Sequence, residues 1–304
     1  MSNKIYALGE TVYDIIFKNG KPVSACAGGS VLNTSVSLGR CGLPVYFISE
    51  FGNDKTGRIT DVLLKSNNVN TDYVYRYDDG KTKLALAFLD GNNKANYDFY
   101  KQYPSSRMNI NIPDFSKDDI LLFGSYFGVD SEIRKTVKQF LVQAKSANSL
   151  IVYDPNFRKA HLDELNKLKP SMIENIEYAD IIRASEEDMK LIFDVDSPDE
   201  AFNVLNNKNK ILIYTKGKNG VHLINNRINK FFPVPVIQTV STIAAGDSFN
   251  AGIIYSIYKK GMTKQIINQI YEDDWNVIIQ SGINFATNVC MSYDNYVSEG
   301  FVEK

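Results

Sequence analysis

Residues 242–249 read Thr-Ile-Ala-Ala-Gly-Asp-Ser-Phe, and this stretch carries the strongest structural signal in the chain. It follows a run of β-forming residues, Phe231–Val240, and precedes a helical pattern with apolar side chains at positions 249, 253, 254 and 257. Small residues at 244–246 allow a tight turn at the beginning of that helix, where amide N–H groups lack intrahelical partners and the helix dipole is positive. The stretch therefore predicts an anion-binding helix N-terminus.

The acidic residue of this stretch, Asp247, admits two interpretations. A carboxylate at this place could accept a proton from an attacking hydroxyl group. It could equally cap the helix, and the small residues before it would then serve only close packing. The stretch by itself leaves both open.

Outward from this stretch, apolar runs typical of buried strands alternate with amphipathic, helix-like stretches. Alternation of this kind predicts right-handed βαβ units and a mostly parallel sheet. The predicted strands are Ile5–Leu8, Val45–Ile48, Ile120–Phe123, Leu150–Tyr153, Ile181–Ile182 and Ile211–Tyr214. The predicted helices are Val31–Gly39, Gly57–Leu64, Ser131–Lys145 and Glu186–Phe193.

Two hairpins interrupt the alternation. Each has two β-rich runs around a turn signal, which is Asn19-Gly20 in the first and Asp-Gly-Asn-Asn at 90–93 in the second. They suggest a small β lid, formed by about 12–25 and 73–103, over the strand ends where such folds bind ligands. Ordinary surface hairpins are the alternative. The paired runs are Val12–Phe17 with Lys21–Ala25 and Thr82–Leu89 with Ala95–Tyr100.

A glycine pair, Gly28-Gly29, follows the first hairpin and opens a helical pattern that contains Asn33. Paired glycines let a ligand approach the backbone closely. Asn33 would lie one helical turn further on, where its amide could hydrogen-bond ligand hydroxyls. The alternative is a glycine-rich turn with Asn33 on a solvated face.

Two other motifs directly follow predicted strands. Thr215, Gly217 and Gly220 come after Ile211–Tyr214, and their spacing suggests backbone kept clear for a nucleotide, although a plain hairpin gives the same pattern. Residues 154–158 read Asp-Pro-Asn-Phe-Arg after another strand, so they should face the ligand crevice. Arg158 could clamp a phosphate there, or form a salt bridge within its loop.

Composition excludes several classes of protein. Lys and Arg number 34 against 35 Asp and Glu, so no basic surface for nucleic acid or an anionic membrane is expected. Two histidines exclude a His-rich metal site, and the three widely spaced cysteines form no zinc pattern and suggest reduced thiols. Without a signal-peptide pattern or a membrane-spanning run, we expect a cytoplasmic protein. P-loop, G-x-G-x-x-G and protein-kinase motifs are absent from the sequence.

Taken together, these motifs resemble the ribokinase-like carbohydrate kinases of the phosphofructokinase-B type, nearly from end to end. The second signature of that family, matched by residues 242–247, is highly specific. The other matches are Gly9 and Asp14 in the opening motif, Gly28-Gly29 and Asn33 in the first signature, and Gly52-Asn53-Asp54 with Gly57 in a Gly-x-Asp-x-x-Gly segment.

The resemblance implies one domain over residues 1–304, built as a three-layer α/β/α fold with a mostly parallel sheet and a small β-sheet lid. It implies phosphorylation of a sugar hydroxyl by ATP with Mg²⁺, and positioning and electrostatics suit such a transfer. Asp247 would be the base, and the amides of Ala244, Ala245 and Gly246 would stabilise the transferring group. The remaining implied contacts are Asp14, Gly28, Gly29 and Asn33 to the sugar, and Ser185, Thr215, Gly217, Gly220 and Asn284 to ATP.

Three positions depart from the family pattern. Ser185 and Asp188 stand where many relatives have Asn-x-x-Glu, so Asp188 is expected to reach Mg²⁺ through water. Ser241 replaces an aspartate associated with a monovalent cation, which puts potassium activation in doubt. Ala244 replaces a glycine, and its methyl group should still fit a helix N-terminus.

Gly9-Glu10 and residues 154–158 look more like fructokinases than ribokinases or adenosine kinases, so D-fructose is the expected substrate. Another ketose, ribose or ketodeoxygluconate is the alternative, and so is a catalytically weak sugar- or nucleotide-sensing protein on the same fold. Similar kinases often dimerise through the lid. We therefore expect a homodimer in which the lid face with Leu84, Leu86 and Phe88 meets the sugar site or a partner.

Overall fold

A large, mostly parallel sheet and a smaller four-stranded sheet form the framework of the protein. The computed structural model describes residues 3–90, 95–205 and 209–301. The strands in these ranges are β1 (Ile5–Leu8), β2 (Val12–Lys18), β3 (Lys21–Gly28), β4 (Val45–Gly52), β5 (Val69–Asn70), β6 (Val74–Tyr77), β7 (Lys81–Leu89), β8 (Ala95–Gln102), β9 (Ile120–Gly124), β10 (Leu150–Asp154), β11 (Ile181–Ser185), β12 (Ile211–Thr215), β13 (Val221–Ile224) and β14 (Asn229–Phe232). The helices are α1 (Ser30–Arg40), α2 (Lys55–Ser66), α3 (Arg134–Ser146), α4 (Leu165–Tyr178), α5 (Glu186–Phe193), α6 (Pro198–Val204), α7 (Ala245–Lys259), α8 (Lys264–Ile267) and α9 (Glu272–Cys290).

The large sheet has the strand order β14-β13-β12-β11-β10-β9-β1-β4-β5, and β6 pairs with the far end of β4. Strand β1 lies at its centre, with Ile5 in register with Val45 on one side and Ile120 on the other. All neighbouring strands from β12 to β5 and β6 pair in parallel, whereas β13 is antiparallel to β12 and β14 is antiparallel to β13. The predicted mostly parallel sheet is confirmed, and each predicted strand is present with its bounds unchanged or extended.

Helices cover both faces of the large sheet, because successive residues of its strands point in opposite directions. Ile5 and Ala7 belong to a core with α1, α7 and α9, whereas Tyr6 and Leu8 belong to a second core with α3 and α5. Both cores are almost free of solvent. The three-layer α/β/α arrangement is therefore confirmed. No helix in the described part of the chain is long and apolar enough to cross a membrane.

The small sheet has the order β3-β2-β7-β8. Positive φ angles at Asn19 (52°) and Gly20 (74°) make the tight turn between β2 and β3 that the Asn-Gly pair predicts. Strand β2 then pairs parallel with β7, and β7 pairs antiparallel with β8. The expected second lid segment began near 73, but residues 74–77 are β6 and pair with the large sheet. The predicted turn at 90–93 falls mostly outside the described residues, since 91–94 are not described.

The predicted β run Phe231–Val240 is wrong over most of its length. Strand β14 ends at Phe232, and residues 233–244 have no regular secondary structure. Pro233 and Pro235 explain the difference, because proline has no N–H to donate to a strand ladder. The segment that leads into α7 is therefore an irregular, largely exposed loop.

Helix α7 carries the Asp247 stretch and is positioned by a close crossing with α9. A Cβ atom on Gly252 would lie 2.4 Å from the backbone oxygen of Ser281, and one on Gly282 would lie 2.8 Å from the ring of Phe249. The crossing thus depends on glycine at two contact points, since Gly252 lets the two helix backbones meet and Gly282 leaves room for the ring of Phe249.

We expect Gly252→Ala to destabilise the protein, because its methyl group would meet backbone rather than a movable side chain. Overpacking of this kind costs about 1–3 kcal/mol, which outweighs a gain in helix propensity of about 1 kcal/mol. The free energy of unfolding, measured by urea denaturation, should fall. Gly128→Ala is the matched control, since its Cβ would have no neighbour closer than 3.5 Å. Equal stability of the two variants would contradict the proposed tight crossing.

Candidate active site

The first turn of α7 forms an open helix N-terminus, as the sequence predicts. Ala244 is the N-cap residue and has a left-handed conformation, with φ 59° and ψ 11°. The first bond of the regular helix runs from Ser248 N to Ala244 O over 2.9 Å. Before it, Ala245 N donates to Thr242 O over 3.3 Å, so the N–H groups of Gly246 and Asp247 are the ones left open at the positive end of the helix dipole. An alanine in this conformation costs roughly 1–2 kcal/mol, which is strain at the point where the backbone turns.

Helix α1 holds Asp247 through three hydrogen bonds. Ser30 Oγ donates to Asp247 Oδ1 over 2.6 Å, and Asn33 Nδ2 donates to Oδ2 over 2.9 Å. Thr34 Oγ1 donates to the backbone oxygen of Asp247 over 2.9 Å. The carboxylate is 7% exposed and each of its oxygens has one donor, which leaves further lone pairs for a hydroxyl group.

Asn33 therefore contacts the predicted base through its nitrogen, a role that the sequence interpretation did not include. Its other amide atom, Oδ1, is buried and has no hydrogen-bond partner within the described residues. A buried acceptor without a partner is costly unless a ligand or water satisfies it. Sugar contact by Asn33 through Oδ1 stays a prediction. Ser30 and Thr34 were missed, because hydroxyl residues in a helix carry no distinctive sequence signal.

The glycine pair before α1 brings two acidic residues of the chain close to this helix. A Cβ on Gly28 would lie 2.3 Å from Asp14 Oδ2, and one on Gly29 would lie 2.2 Å from the backbone oxygen of Glu10. Gly29 also has φ 133°, which side-chain-bearing residues rarely adopt. At both positions a side chain would collide with another part of the chain, so glycine is required there.

Asp14 lies on the small sheet beside a buried ion pair. Lys83 Nζ is paired with Glu10 Oε1 and lies 4.7 Å from the ring centre of Phe99. Burial, and then the charge of Glu10, raise the pKa of Asp14 to about 7, although Lys83 opposes the shift. Tyr97 lies on the same face of the small sheet. Burial raises the pKa of Tyr97, the charge of Asp14 raises it further, and the charge of Arg158 lowers it. Glu10 and Lys83 as a pair were not predicted.

A second buried cation, Arg107, is surrounded by carboxylates. It donates to Glu50 Oε1 over 2.6 Å and to Asp130 Oδ2 and Glu132 Oε2 over 2.8 Å each. Its guanidinium also stacks on Tyr103, 3.6 Å from the ring centre. Burial and then the charge of Glu10 raise the pKa of Tyr103, which places this cluster beside the Glu10–Lys83 pair.

Arg183 connects the strand ends to the N-terminus of α7. Its two terminal nitrogens donate to Asp154 Oδ2 over 3.1 Å and to Thr215 Oγ1 over 2.9 Å. A Cβ on Gly246 would lie 2.9 Å from both of these nitrogens, so the guanidinium lies directly against that glycine. Burial raises the pKa of Asp154, while Arg183 and a hydrogen bond from Asn250 oppose the rise. The sequence interpretation did not identify Arg183, since it lies inside an apolar strand.

The residues predicted to contact ATP lie at the ends of β11 and β12 and on α9. Ser185 and Thr215 are register partners at the strand ends. Gly217 lies in the turn between β12 and β13. A Cβ atom on Gly217 would have no neighbouring atom within 4 Å, so the space beside its backbone is free. Asn284 accepts a hydrogen bond from Gln280 on α9. Nucleotide contact at these residues stays a prediction.

Asp188 is buried and its carboxylate already has three donors. It accepts from Ser185 N over 2.8 Å, from Ser185 Oγ over 2.5 Å and from Phe157 N over 2.7 Å. Burial, followed by the charge of Asp154, raises its pKa. Asp188 is thus the third helical residue of a capping box whose N-cap residue is Ser185, so a link to a metal ion would run through water. No group of three or more His, Cys, Asp or Glu in the described ranges is placed to hold a metal ion.

Arg158 is exposed, in contrast to the other cations of this region. Its guanidinium forms no ion pair or hydrogen bond with the other described residues. Its charge lowers the pKa of Tyr97 on the small sheet. The predicted phosphate clamp would need Arg158 at the N-terminus of α7. In this structure Arg158 lies near Tyr97 on the face of the small sheet that carries Asp14. Its catalytic role stays a prediction.

Comparisons with known proteins identify the family of the chain. The family model described as pfkB family carbohydrate kinase matches residues 2–269. A fructokinase of Rhizobium leguminosarum bv. trifolii is 28% identical over 265 residues, covering 83% of this chain and 79% of the relative. A fructokinase of Salmonella typhimurium is 26% identical over 269 residues, covering 86% of this chain and 87% of the relative.

Solved structures show the same fold. The fructokinase of Vibrio cholerae O395, in its fructose-, ADP- and calcium-bound form, superposes with a TM-score of 0.83 at 19% identity over 96% of this chain and 94% of that one. An aminoimidazole riboside kinase from Salmonella enterica superposes with a TM-score of 0.79 at 19% identity over 96% and 95% of the two chains. With the family match over most of its length, the chain belongs to the pfkB family and is an ATP-dependent carbohydrate kinase.

Proposed function

We propose that the protein transfers the γ-phosphoryl group of ATP to a hydroxyl of D-fructose, with Asp247 as the base. The observation that carries this proposal is the position of Asp247. Its carboxylate is nearly buried, is fixed by Ser30 and Asn33, and lies in the first turn of α7 next to the amide of Gly246. A base and an anion site thus lie within one helical turn, as in-line phosphoryl transfer requires.

In the proposed mechanism, Asp247 accepts the proton of the attacking hydroxyl as the oxygen bonds to phosphorus. Of the amides expected at 244–247, Ala244 belongs to the N-cap and Ala245 N already donates to Thr242 O. The amides of Gly246 and Asp247 would therefore stabilise the negative charge of the transferring group. Ser30 and Asn33 keep the carboxylate in one orientation, so little reorganisation is needed when the sugar arrives. Arg183 balances the buried charge of Asp154 next to Gly246.

The charges around Asp14 favour a neutral sugar over an acidic or phosphorylated one. Lys83 is neutralised by Glu10, and Arg107 by three carboxylates. An anionic substrate at that end would have to displace a buried ion pair, which is strongly unfavourable. This supports D-fructose over ketodeoxygluconate, with another neutral ketose or ribose as the next candidate. The fructokinase names of the relatives point the same way.

ATP fits the open strand ends, where the amides of Gly246 and Asp247 would donate to phosphate oxygens. Thr215, Gly217 and Gly220 would lie along the nucleotide. When bound, Mg²⁺ would neutralise phosphate charge, held by phosphate oxygens and by water ordered near Asp188. Ser241 supplies a hydroxyl that accepts from Ile243 N and no carboxylate, so activation by a monovalent cation is not expected.

Asp247→Asn should lower kcat by roughly 10²–10⁴-fold, the usual contribution of a general base. The amide keeps the shape of the carboxylate, so the KM for ATP should change little. The measurement is ADP release from ATP across neutral ketoses, aldoses, ketodeoxygluconate and nucleosides. Turnover near that of the unmodified protein would refute the base assignment. Sugar binding with no turnover of any sugar by the unmodified protein would favour the sensing alternative.

Sugar affinity should depend on pH because the pKa of Asp14 is raised to about 7. Above that pH the carboxylate accepts hydrogen bonds from sugar hydroxyls, and below it a proton removes an acceptor. The sugar KM should therefore rise about tenfold between pH 8 and pH 6, as expected for one proton per site. Glu10→Gln removes the like charge and should move this rise to lower pH. A sugar KM that is flat over this range, or an equal change in the KM for ATP, would contradict the role of Asp14.

The outer face of the small sheet is apolar along β2 and β7, with Asn96 and Asp98 at its β8 edge, and it supports the proposed homodimer. Leu84, Leu86 and Phe88 share this face, whereas Ala85 and Ala87 are buried on the opposite face with Asp14. Ile15 and Phe17 extend the outer face, and the rings of Phe17 and Phe88 stack at 5.0 Å. An exposed apolar sheet face is a typical interface, and here its proposed partner is the same face of a second copy.

Leu86→Asp should weaken self-association with little change in the sugar KM, because Leu86 points away from Asp14. Molar mass would be followed by light scattering over a dilution series. Val62→Asp is the control, since Val62 is 66% exposed on α2 and lies outside the small sheet. A monomer at every concentration of the unmodified protein, or equal dissociation in both variants, would contradict the interface.

A further inference from the structure

The Gly-x-Asp-x-x-Gly segment at 52–57 matches the family but has no place in the chemistry proposed above. In the structure, Asp54 caps helix α2, where Oδ1 accepts from Gly57 N over 2.8 Å and from Thr56 Oγ1 over 2.9 Å. The same carboxylate also reaches outside its helix. Thr82 N donates to Oδ2 and Thr82 Oγ1 donates to Oδ1, both over 2.8 Å. One side chain therefore joins α2 of the main body to β7 of the small sheet.

The two glycines of the segment make this joint possible. A Cβ on Gly52 would lie 2.7 Å from Thr82 N, and one on Gly57 would lie 1.9 Å from Gly52 O and 2.9 Å from Thr82 Oγ1. Gly52 N in turn donates to Thr82 Oγ1 over 3.1 Å. The end of β4, the start of α2 and the start of β7 are thus in direct backbone contact, with Thr82 buried between them.

The carboxylate is held in its charged form by these contacts. Burial alone would raise the pKa of Asp54, but the hydrogen bonds from Gly57, Thr82 and Thr56 outweigh it and hold the pKa below its ordinary value. Hydrogen bonds to a charged group are about twice as strong as neutral ones. The joint is therefore a specific interaction and not merely a place where two elements touch.

Strand β7 leads from this joint directly to the sugar side of the site. Lys83, the next residue after Thr82, pairs with Glu10, and Ala85 is in register with Asp14 on β2. Strand β2 is attached to β7 along six residue pairs, so a shift of β7 would move Asp14 with it. Ala85, the register partner of Asp14, is only three residues after Thr82 in the chain.

We propose that Asp54 is a positioning residue that anchors the small sheet to the large sheet and thereby sets the affinity for the sugar. The inference rests on the proposed function, since it assumes that the sugar lies between Asp14 and Asp247. Asp54 does not touch the reacting groups. Its role is to fix where β7 leaves the main body.

Asp54→Asn separates the two roles of this side chain, which are capping α2 and bonding Thr82 of β7. Asparagine caps a helix as well as aspartate does, so the contacts to Gly57 and Thr56 can remain. Its amide nitrogen would face Thr82 N, and two donors cannot bond each other. The sugar KM should rise about tenfold or more, the effect of losing a hydrogen bond to a charged group, while kcat and the KM for ATP stay within about twofold.

Asp61→Asn is the matched control on the same helix. Asp61 also carries ion pairs, to Lys65 over 2.7 Å and to Arg76 over 2.5 Å, but it does not contact the small sheet. Its sugar KM should match that of the unmodified protein. If both variants raise the sugar KM equally, or if Asp54→Asn raises both KM values together, the anchoring role is wrong and the effect is general destabilisation.

A second pair of variants tests the other side of the joint and decides the question if Asp54→Asn does not fold. Thr82→Val removes the hydroxyl at nearly constant shape, whereas Thr82→Ser keeps it. The valine variant should raise the sugar KM and the serine variant should restore it. Equal sugar KM values for the two would overturn the proposal.

The same assays distinguish this inference from the proposed function. If Asp247→Asn retains turnover, the base assignment fails whatever Asp54 does. If Asp247→Asn is inactive and the Asp54 and Thr82 variants keep the sugar KM of the unmodified protein, only the anchoring role fails. Hydrogen exchange adds a readout without turnover, since amides of β7 and β8 should exchange faster in Asp54→Asn and not in Asp61→Asn.

Discussion

The hydrogen bonds between α1 and Asp247 are the contact on which the rest of the site depends. A nearly buried carboxylate is stable only when donors satisfy it, and here Ser30 and Asn33 supply them from one turn of α1, while Thr34 of the same turn donates to the backbone oxygen of Asp247. That turn begins at Gly29, whose lack of a side chain lets the chain pass Glu10. The base, the glycine pair and the acidic residues of the small sheet are thus placed relative to one another by a single helix.

Charge balance explains the polar residues around this contact. Both Asp154 and Asp188 are buried; the charge of Asp154 raises the pKa of Asp188, the charge of Asp247 raises the pKa of Asp154, and Arg183 lies beside Asp154. Removing a partner from such a group would cost far more than the pair contributes, because the remaining charge would stay buried. The N-terminus of α7 therefore rests on a compensated cluster, and the positive end of its dipole remains available for a ligand.

The sequence predicts the large sheet well because apolar strands and amphipathic helices leave periodic patterns. It also predicts the position of Asp247, since small residues before a helix are a local signal. It does not predict Arg183, Lys83 or Ser30, whose roles arise from contacts between residues far apart in the chain. Asp188 shows how a motif position and a local structural role can coincide, because its carboxylate accepts both hydrogen bonds of the Ser185 end of α5 while its contact with Mg²⁺ through water stays a prediction.

The glycines of the signatures illustrate why motif and function are only partly the same. A side chain on Gly28 would strike Asp14, one on Gly57 would strike Gly52, and one on Gly246 would strike Arg183. In each case the obstacle is the protein itself and not a ligand. These glycines are thus required before any substrate is considered, because they allow the joints that hold Asp14, β7 and α7 in place. Affinity and turnover then depend on how rigid these joints are, since a charge displaced by one ångström no longer meets the atom that it stabilises.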